Sequence, residues 1–326
     1  MIRRRAFITL VGGAAAAWPL AARAQQPRMP VVGYLTSGAA NSIPVAAFRR
    51  GLKEAGYVDG QNVSIEVRAT NEQIDRLPAL AADLVSRRVN VILATGGPDA
   101  PRAAKMATSS IPIVFQTGGD PVRLGLVTNF NRPEGNITGI YVLINSLGEK
   151  RLGLLRQLLP SAAAIGFIVN PKNSNAETDT KQAQAAAQTL GLRLIVVNAV
   201  TESDLNQAFA ALVHEHADAL LMGTDAVLAS HRNSIVALAG RHKLPAIYDR
   251  REYAEEGGLM SYGASSSEGY RRGAIYVARI LKGEKPAELP VLQPTKFEFV
   301  INLKTAKALG LEVSQDVLSI ADEVIQ

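Results

Sequence analysis

Small polar side chains follow five short apolar segments of the sequence, at points where a strand would end and a loop would begin. Hydroxyl and amide groups of this size can hydrogen-bond a polar ligand without filling its space, and loop N–H groups converge beyond the carboxyl ends of parallel strands. Each of these residues could also cap a helix. The repetition over five loops predicts a ligand site, and its candidate residues are Thr36, Ser37, Thr95, Gly96, Gly119, Asp120, Asn170, Asn173, Thr224 and Asp225.

Signatures of catalysis and of nucleotide binding are absent from the sequence. It has no GxxxxGK[ST] phosphate loop, no GxGxxG turn, no HExxH zinc motif and no GxSxG nucleophile elbow. His214 and His216 are two residues apart on a predicted helix and therefore point away from each other. The serines at 265–267 have no histidine nearby in sequence, which favours helix capping over nucleophilic chemistry. We expect a protein that is not an enzyme and needs no cofactor or metal.

The positive charge of the chain is concentrated at its N-terminus. The 326 residues carry a formal charge of +6, and residues 1–24 contain four arginines and no acidic residue. The remainder keeps 31 of the 35 basic side chains against 29 acidic ones, a balance that attracts nucleic-acid phosphates only weakly. The sequence contains no cysteine, which excludes disulfides, thiolate metal sites and a cysteine nucleophile.

Residues 1–24 have the organisation of an export signal. Three arginines precede an apolar stretch, and small residues on either side of Arg23 indicate cleavage before Gln25. The order Arg4, Arg5, Ala6 also resembles the twin-arginine signal of bacteria. The alternative is a membrane anchor, but two glycines and a proline interrupt a stretch already shorter than the roughly 20 apolar residues that an anchor needs. We therefore expect a periplasmic protein with its signal removed near Ala24.

The rest of the chain alternates short apolar strands with amphipathic helices, a pattern typical of parallel sheets covered by helices on both faces. Eleven strands are too many for one ordinary open sheet, so two sheets joined near 141–147 fit better than a closed (β/α)₈ barrel. The strands are predicted at 31–35, 63–68, 91–94, 113–116, 137–141, 165–169, 193–198, 219–222, 246–248, 259–262 and 297–301.

Several segments together carry a resemblance to a known family. These segments are VVGYLTSG near Val31, IPIVFQTGGDPVRLGLV from Ile111, IGFIVNPKN from Ile165, ILATGGPDA, GGLMSYGAS and PTKFEFVINLKTAKALGL. In order and spacing they resemble bacterial ABC-transporter substrate-binding proteins, in the branch similar to tryptophan- and tyrosine-type periplasmic binding proteins. This resemblance implies a type I periplasmic-binding-protein fold of two α/β lobes, with lobe 1 formed by 28–142 plus 256–290 and lobe 2 by 143–255 plus 291–326.

The resemblance also implies roles for the candidate residues. Those from Thr36 to Asp120 would contact a ligand from the first lobe, and those from Asn170 to Asp225 would contact it from the second. Tyr248 and Tyr262, on later strand ends, would stack on the ligand or cap it. After residue 24 this chain has no tryptophan, so the implied ligand is a small polar molecule, an amino acid or another carboxylate.

The resulting functional hypothesis is an exported, monomeric solute receptor. It would close by hinge motion around a small molecule and deliver it to an ABC permease in the membrane. One alternative is a periplasmic sensor subunit that binds the same class of ligand. Another is a hydrolase or lyase that uses Asp120 or Asp225 as a base. One fold can host all three functions.

Overall fold

The computed structural model describes residues 29–40, 43–71 and 73–326. The predicted export signal lies outside these residues. Within them, no helix combines the length and the apolar character that crossing a lipid bilayer requires.

Nearly continuous apolar segments form a first, five-stranded sheet. Four of its strands are buried or almost so along their whole length, while β2 at the edge is half-buried. The order is β2-β1-β3-β4-β5 and every pair is parallel. The strands are β1 Val31–Thr36, β2 Ser64–Ala69, β3 Val91–Thr95, β4 Ile113–Thr117 and β5 Ile137–Tyr141.

A second, seven-stranded sheet contains the rest of the strands. Its order is β12-β11-β10-β9-β8-β6-β7, and only the β10–β11 pair is antiparallel among these described strands. The strands are β6 Ala164–Val169, β7 Arg193–Asn198, β8 Ala219–Met222, β9 Ala246–Tyr248, β10 Met260–Ala264, β11 Phe297–Asn302 and β12 Glu323–Ile325. The two open sheets confirm the two-lobed α/β prediction and exclude the single closed barrel. The short edge strand β12 was not predicted.

Helices cover both faces of each sheet, so each lobe has two hydrophobic layers. On the first sheet, α2 and α3 cover one face, and α1 and α10 cover the other. On the second sheet, α4, α5, α11 and α12 lie opposite α6 to α9. The helices are α1 Ile43–Glu54, α2 Leu77–Ser86, α3 Asp99–Ala107, α4 Gly148–Leu158, α5 Ala176–Thr189, α6 Glu202–His214, α7 Ala226–Ser230, α8 Arg232–Arg241, α9 Arg251–Glu255, α10 Ser266–Leu281, α11 Leu303–Ala308 and α12 Gln315–Ser319.

Helix α10 packs closely on α1, far from it in sequence. A Cβ atom on Gly51 would lie 2.9 Å from the Cα of Arg271 and 2.9 Å from the Cβ of Ala274. Glycine therefore allows the two helix backbones to approach each other. The contact assigns α10 to the first lobe, although the strand that precedes it belongs to the second.

The chain crosses between the lobes three times, and two of the predicted boundaries differ from the observed pairing. Strand β10 pairs with β9 and β11, so the return to lobe 1 comes after Ala264 and not near residue 256. Leu292 bonds to the first sheet, where its carbonyl accepts from Tyr141 N at 2.8 Å and its N–H donates to Gly139 O at 3.0 Å. The last crossing therefore follows residue 292 and not residue 290.

Candidate site between the lobes

Two adjoining cavities lie between the carboxyl ends of the two sheets. Cavity I, of about 620 Å³ including space open to solvent, is lined from the first lobe by residues that include Thr36 and Tyr270. Cavity II, of about 470 Å³ on the same basis, is lined from the same lobe by Gln116 and Thr117. The second lobe completes both. The residues that line both cavities are Gly96, Ala226, Arg250 and Tyr270.

Five of the sequence-predicted site residues line these two cavities. Thr36 lines cavity I, Gly96 lines both, and Asn173, Thr224 and Asp225 line cavity II. They come from four different strand ends, as the argument from parallel strands predicts. Their role in ligand binding stays a prediction, but the structure brings them together.

Ser37 and Thr95, also predicted as site residues, are bonded within the first lobe. The Ser37 hydroxyl donates to the carbonyl of Gly96, and the Thr95 hydroxyl lies 3.1 Å from the Tyr34 phenol. Gly96 has a φ of +91°, and a Cβ there would lie 2.5 Å from Ser37 Oγ. The positive φ and the lack of space for a Cβ both require glycine at this position. These contacts hold the β1 and β3 loops together at the wall of the cavities.

Asp225 ties the second-lobe loops to one another. Its Oδ1 accepts from Asn170 Nδ2 at 3.1 Å and from Leu228 N at 2.9 Å, and its Oδ2 accepts from Asn173 Nδ2 at 2.8 Å. All three polar side chains are buried. Asp225 therefore caps α7 and fixes the loop after β6. Asn170, which lines neither cavity, acts through this contact.

Gly119 and Asp120 line a third inter-lobe cavity of about 790 Å³, here called cavity III. The carboxylate of Asp120 accepts from Val122 N at 2.8 Å, which stabilises its own turn. A Cβ on Gly119 would lie 2.7 Å from Nδ2 of Asn175, a residue of the second lobe. The two lobes thus approach each other at Gly119, beside Asn145 and Asn175, which line both cavity II and cavity III.

The two predicted tyrosines line none of these three cavities. Tyr248 is fully buried, and its ring stacks on Tyr253 with centroids 4.4 Å apart. Tyr262 stacks on Phe297 at 6.3 Å within the antiparallel β10–β11 pair. Both belong to the packing of the second lobe. The aromatic side chain that lines cavities I and II is Tyr270, from α10 of the first lobe.

Arg250 is the charged residue that lines both cavities, and a buried carboxylate orients it. Its Nε and Nη2 donate to Asp249, with the closest contact, Nη2 to Oδ2, at 2.6 Å. Asp249 is 1% exposed, while 14% of the Arg250 side chain stays accessible. Burial alone lowers the pKa of Arg250, but the Asp249 carboxylate reverses this and holds the pKa above its ordinary value. The result is a fixed, permanently charged guanidinium.

The side chain of Arg151 connects the first crossing segment, at Ile144, to the second lobe, at Thr224. This buried side chain donates from Nη2 to Ile144 O at 2.8 Å and from Nη1 to Thr224 Oγ1 at 3.2 Å. Burial lowers the pKa of its guanidinium, an effect that the Asp249 carboxylate opposes. Thr224 is therefore positioned by the segment that links the lobes.

Arg250, Glu252 and Tyr270 are absent from the sequence-predicted site, although one signal for Arg250 was available. Arg250 directly follows the β9 end, so the rule that selected the other loops also applies to it. Glu252 lies in the next helix, α9, and lines cavity I. Tyr270 carries no local signal, because its place depends on α10 returning to the first lobe.

Metal chemistry has no support in the described residues, which contain no group of three or more histidine, cysteine, aspartate or glutamate side chains placed to hold an ion. His214 is at the end of α6 with 88% of its side chain exposed.

Comparison with known proteins identifies the family to which this two-lobed architecture belongs. Residues 31–325 match the family model of the ABC transporter substrate binding protein. The chain belongs to this family. Among curated members, it is 29% identical over 266 residues to the tyrosine-binding protein of Clostridioides difficile, covering 81% of this chain and 76% of the relative.

Solved structures agree with this assignment and with the type I periplasmic-binding fold. A conserved domain protein from Vibrio cholerae superposes with a TM-score of 0.81 at 26% identity, covering 91% of this chain and all of the other. An ABC domain from Streptococcus pneumoniae in complex with L-Trp gives 0.79 at 22% identity, with coverages of 91% and 99%. The ligand-free, open structure of a substrate binding protein from Clostridium difficile gives 0.61 at 23% identity, with the same coverages.

Proposed function

We propose that this protein is the exported solute-binding component of an ABC importer. It closes by hinge motion around a small polar carboxylate, such as an amino acid, and leaves the ligand chemically unchanged. The observation that carries this proposal is the pair of cavities lined by both lobes, with the Arg250 guanidinium lining both. A fixed cation in a partly buried site is suited to a carboxylate.

The comparisons support both the ligand class and the motion. One relative is named as tyrosine-binding and one similar structure holds L-Trp. The chain superposes better on the L-Trp complex, at a TM-score of 0.79, than on the open, ligand-free protein, at 0.61, with equal coverage. This difference supports a closed arrangement of the two lobes here.

Closure follows from the distribution of contacts between the lobes. Thr36 and Tyr270 approach a ligand from the first lobe and Arg250 from the second, so the full set of contacts exists only in the closed state. A ligand then shifts the population towards closure by its differential affinity for that state. The closed form would be the one presented to a permease.

The site supports binding better than catalysis. Asp225, an obvious candidate base, accepts three hydrogen bonds from Asn170, Asn173 and the N-terminus of α7. These three hydrogen bonds hold the Asp225 carboxylate in place and give it a structural role. Residues 1–24 would direct export to the periplasm, where a monomer would be sufficient because each chain contains both walls of the cavities.

A thermal-shift screen of amino acids and small carboxylates, followed by small-angle X-ray scattering, tests the proposal. A ligand present at about 100 times its dissociation constant should stabilise the protein by about 2.7 kcal/mol. The radius of gyration should fall on binding, and the ligand should be recovered unchanged by mass spectrometry. Turnover of the ligand, or binding without compaction, would contradict the proposal.

A further inference from the structure

One carboxylate oxygen of Glu252, at the wall of cavity I, has no hydrogen-bond partner among the described residues. Its Oε2 is shielded from solvent and accepts no hydrogen bond from the described part of the chain. Glu252 forms no ion pair among the described salt bridges either, although its charge contributes to raising the pKa of Arg250. Shielding an acceptor without a hydrogen bond is costly, so this carboxylate needs a donor when the cleft is closed.

Arg232 lines the same cavity with an incomplete set of partners. Its Nη2 reaches Glu256 Oε1 at 3.4 Å, while its Nε is shielded and has no partner among the described residues. Arg232 thus has an ion-pair partner in Glu256, whereas Glu252 has no ion pair or side-chain hydrogen bond among the described residues.

Arg250, at the junction of the two cavities, requires a hydrogen-bond acceptor, whereas Glu252 requires a donor. Its Nε and Nη2 are occupied by Asp249, but no bond from Nη1 to a described residue is present. One edge of the guanidinium is therefore available for an anion. The rest of cavity I is lined by small apolar residues such as Ala39, Pro44 and Ala229, and by the hydroxyl-bearing residues Thr36, Ser230, Ser267 and Tyr270.

We infer that the ligand has a carboxylate that binds Arg250 and, at its other end, a hydrogen-bond donor that binds Glu252. This inference rests on the proposed function and specifies its ligand class as amino acids with donor-ended side chains. With the α-carboxylate at Arg250, an apolar side chain that reaches Glu252 would leave its shielded Oε2 without a hydrogen-bond donor. Sites built around a hydrogen bond discriminate strongly against analogues that lack it.

Isothermal titration with three matched pairs of amino acids tests the inference. The pairs are L-tyrosine with L-phenylalanine, L-glutamine with L-methionine, and L-lysine with L-norleucine. For each pair that fits the cavity, the donor-ended member should bind the purified protein at least tenfold more tightly. The three donor-ended amino acids carry a phenol, an amide and an ammonium group. Comparing their affinities shows which of these donors the site prefers.

Variants then assign the two ends of the ligand. Glu252→Met, which removes the acceptor while keeping the length of the side chain, should reduce the preference within a pair to less than about threefold, without weakening the apolar member. The matched control is Glu312→Met, which makes the same change at an exposed position outside all three cavities and should preserve the preference. Arg250→Gln should weaken every ligand, but should have little effect on L-tyrosinamide, which has no carboxylate.

The outcomes separate the inference from the function on which it rests. Equal binding within every pair, with compaction on binding, would overturn the inference and leave the proposed function standing. A preference that survives Glu252→Met in a normally folded variant would also overturn it. If none of the six amino acids binds and no screened carboxylate compacts the protein, both proposals fail.

Discussion

Asp225 shows how a residue at a ligand cavity can be required for folding as much as for binding. Replacing it with alanine should lower the free energy of unfolding by about 3 kcal/mol, because the buried amides of Asn170 and Asn173 lose their acceptor and α7 loses its cap. Urea denaturation measures the change, with the exposed Asp75→Ala as control. Wild-type stability in Asp225→Ala would refute the structural role.

Asp179, on α5, gives the protein a pH dependence near neutrality. Burial raises its pKa from 3.8 to about 7, although Asn145 Nδ2 donates to its Oδ2 at 2.6 Å. Since the folded-state pKa is the higher one, this carboxyl contributes most to stability below about pH 4, and the contribution is lost as the pH rises through 7.

The Asp179→Asn variant tests this assignment. Its free energy of unfolding should equal that of the wild type near pH 4 and exceed it at pH 8. The excess should be at most about 4 kcal/mol, because one pKa unit corresponds to about 1.4 kcal/mol. Denaturation midpoints measured from pH 4 to pH 8 provide the comparison, and Asp75→Asn is the control at an exposed position. Parallel curves for Asp179→Asn and the wild type would count against the raised pKa.

Single residues also show how far the sequence could predict the site. Thr36, Gly96 and Thr224 line the cavities because parallel strands end at one edge of a sheet, and their contact with a ligand stays a prediction. Tyr248 was selected on its strand while Arg250, two residues later, was not. Which residue of a strand end faces the ligand depends on side-chain packing, which the apolar pattern alone does not define.

Among the elements, α10 combines a packing role with a functional one. Replacing Gly51 with alanine should destabilise the protein by about 1–3 kcal/mol, because the new Cβ would overlap the backbone of α10. The control is Gly153→Ala in α4, where nothing lies within 4 Å and removing a helical glycine should stabilise by roughly 0.5–1 kcal/mol. Thermal and urea unfolding should give the two opposite signs. Equal effects would argue against close helix contact.

The element pattern also explains which parts of the fold were predictable. Apolar strands alternating with helices gave the two sheets and nearly all the strand positions. The boundaries after Ala264 and Leu292 were misplaced, because β10 and α10 are adjacent in sequence yet pack in different lobes. Only tertiary contacts such as Gly51 against Arg271 reveal that change.

At the scale of the whole molecule, the contact between Gly119 and Asn175 should affect closure selectively. Gly119→Ala would place a Cβ 2.7 Å from the Asn175 amide, which strains the closed state, whereas its contact within the first lobe, with Leu124 Cδ1 at 3.2 Å, is less close. Ligand affinity should fall about three- to tenfold, since a tenfold change corresponds to about 1.4 kcal/mol. Titration and scattering measure affinity and compaction.

Gly240→Ala is a suitable comparison, because nothing lies within 4 Å of that position and it is in α8, outside all three cavities. It should bind ligand like the wild type. If Gly119→Ala also keeps wild-type affinity and compaction, the lobes do not meet at this point in the bound state.

The late position of α10 in the sequence has a consequence for biosynthesis. The apolar side chains of Val45, Phe48 and Leu52 on α1 are buried in the same cluster as those of Ala274 and Val277 on α10. While the ribosome is still translating the middle of the message, the early part of the nascent polypeptide cannot cover that surface. The first lobe can therefore complete this hydrophobic layer only after most of the chain has emerged. Until then its apolar surface is exposed, and we expect chaperones to bind the nascent chain in that interval.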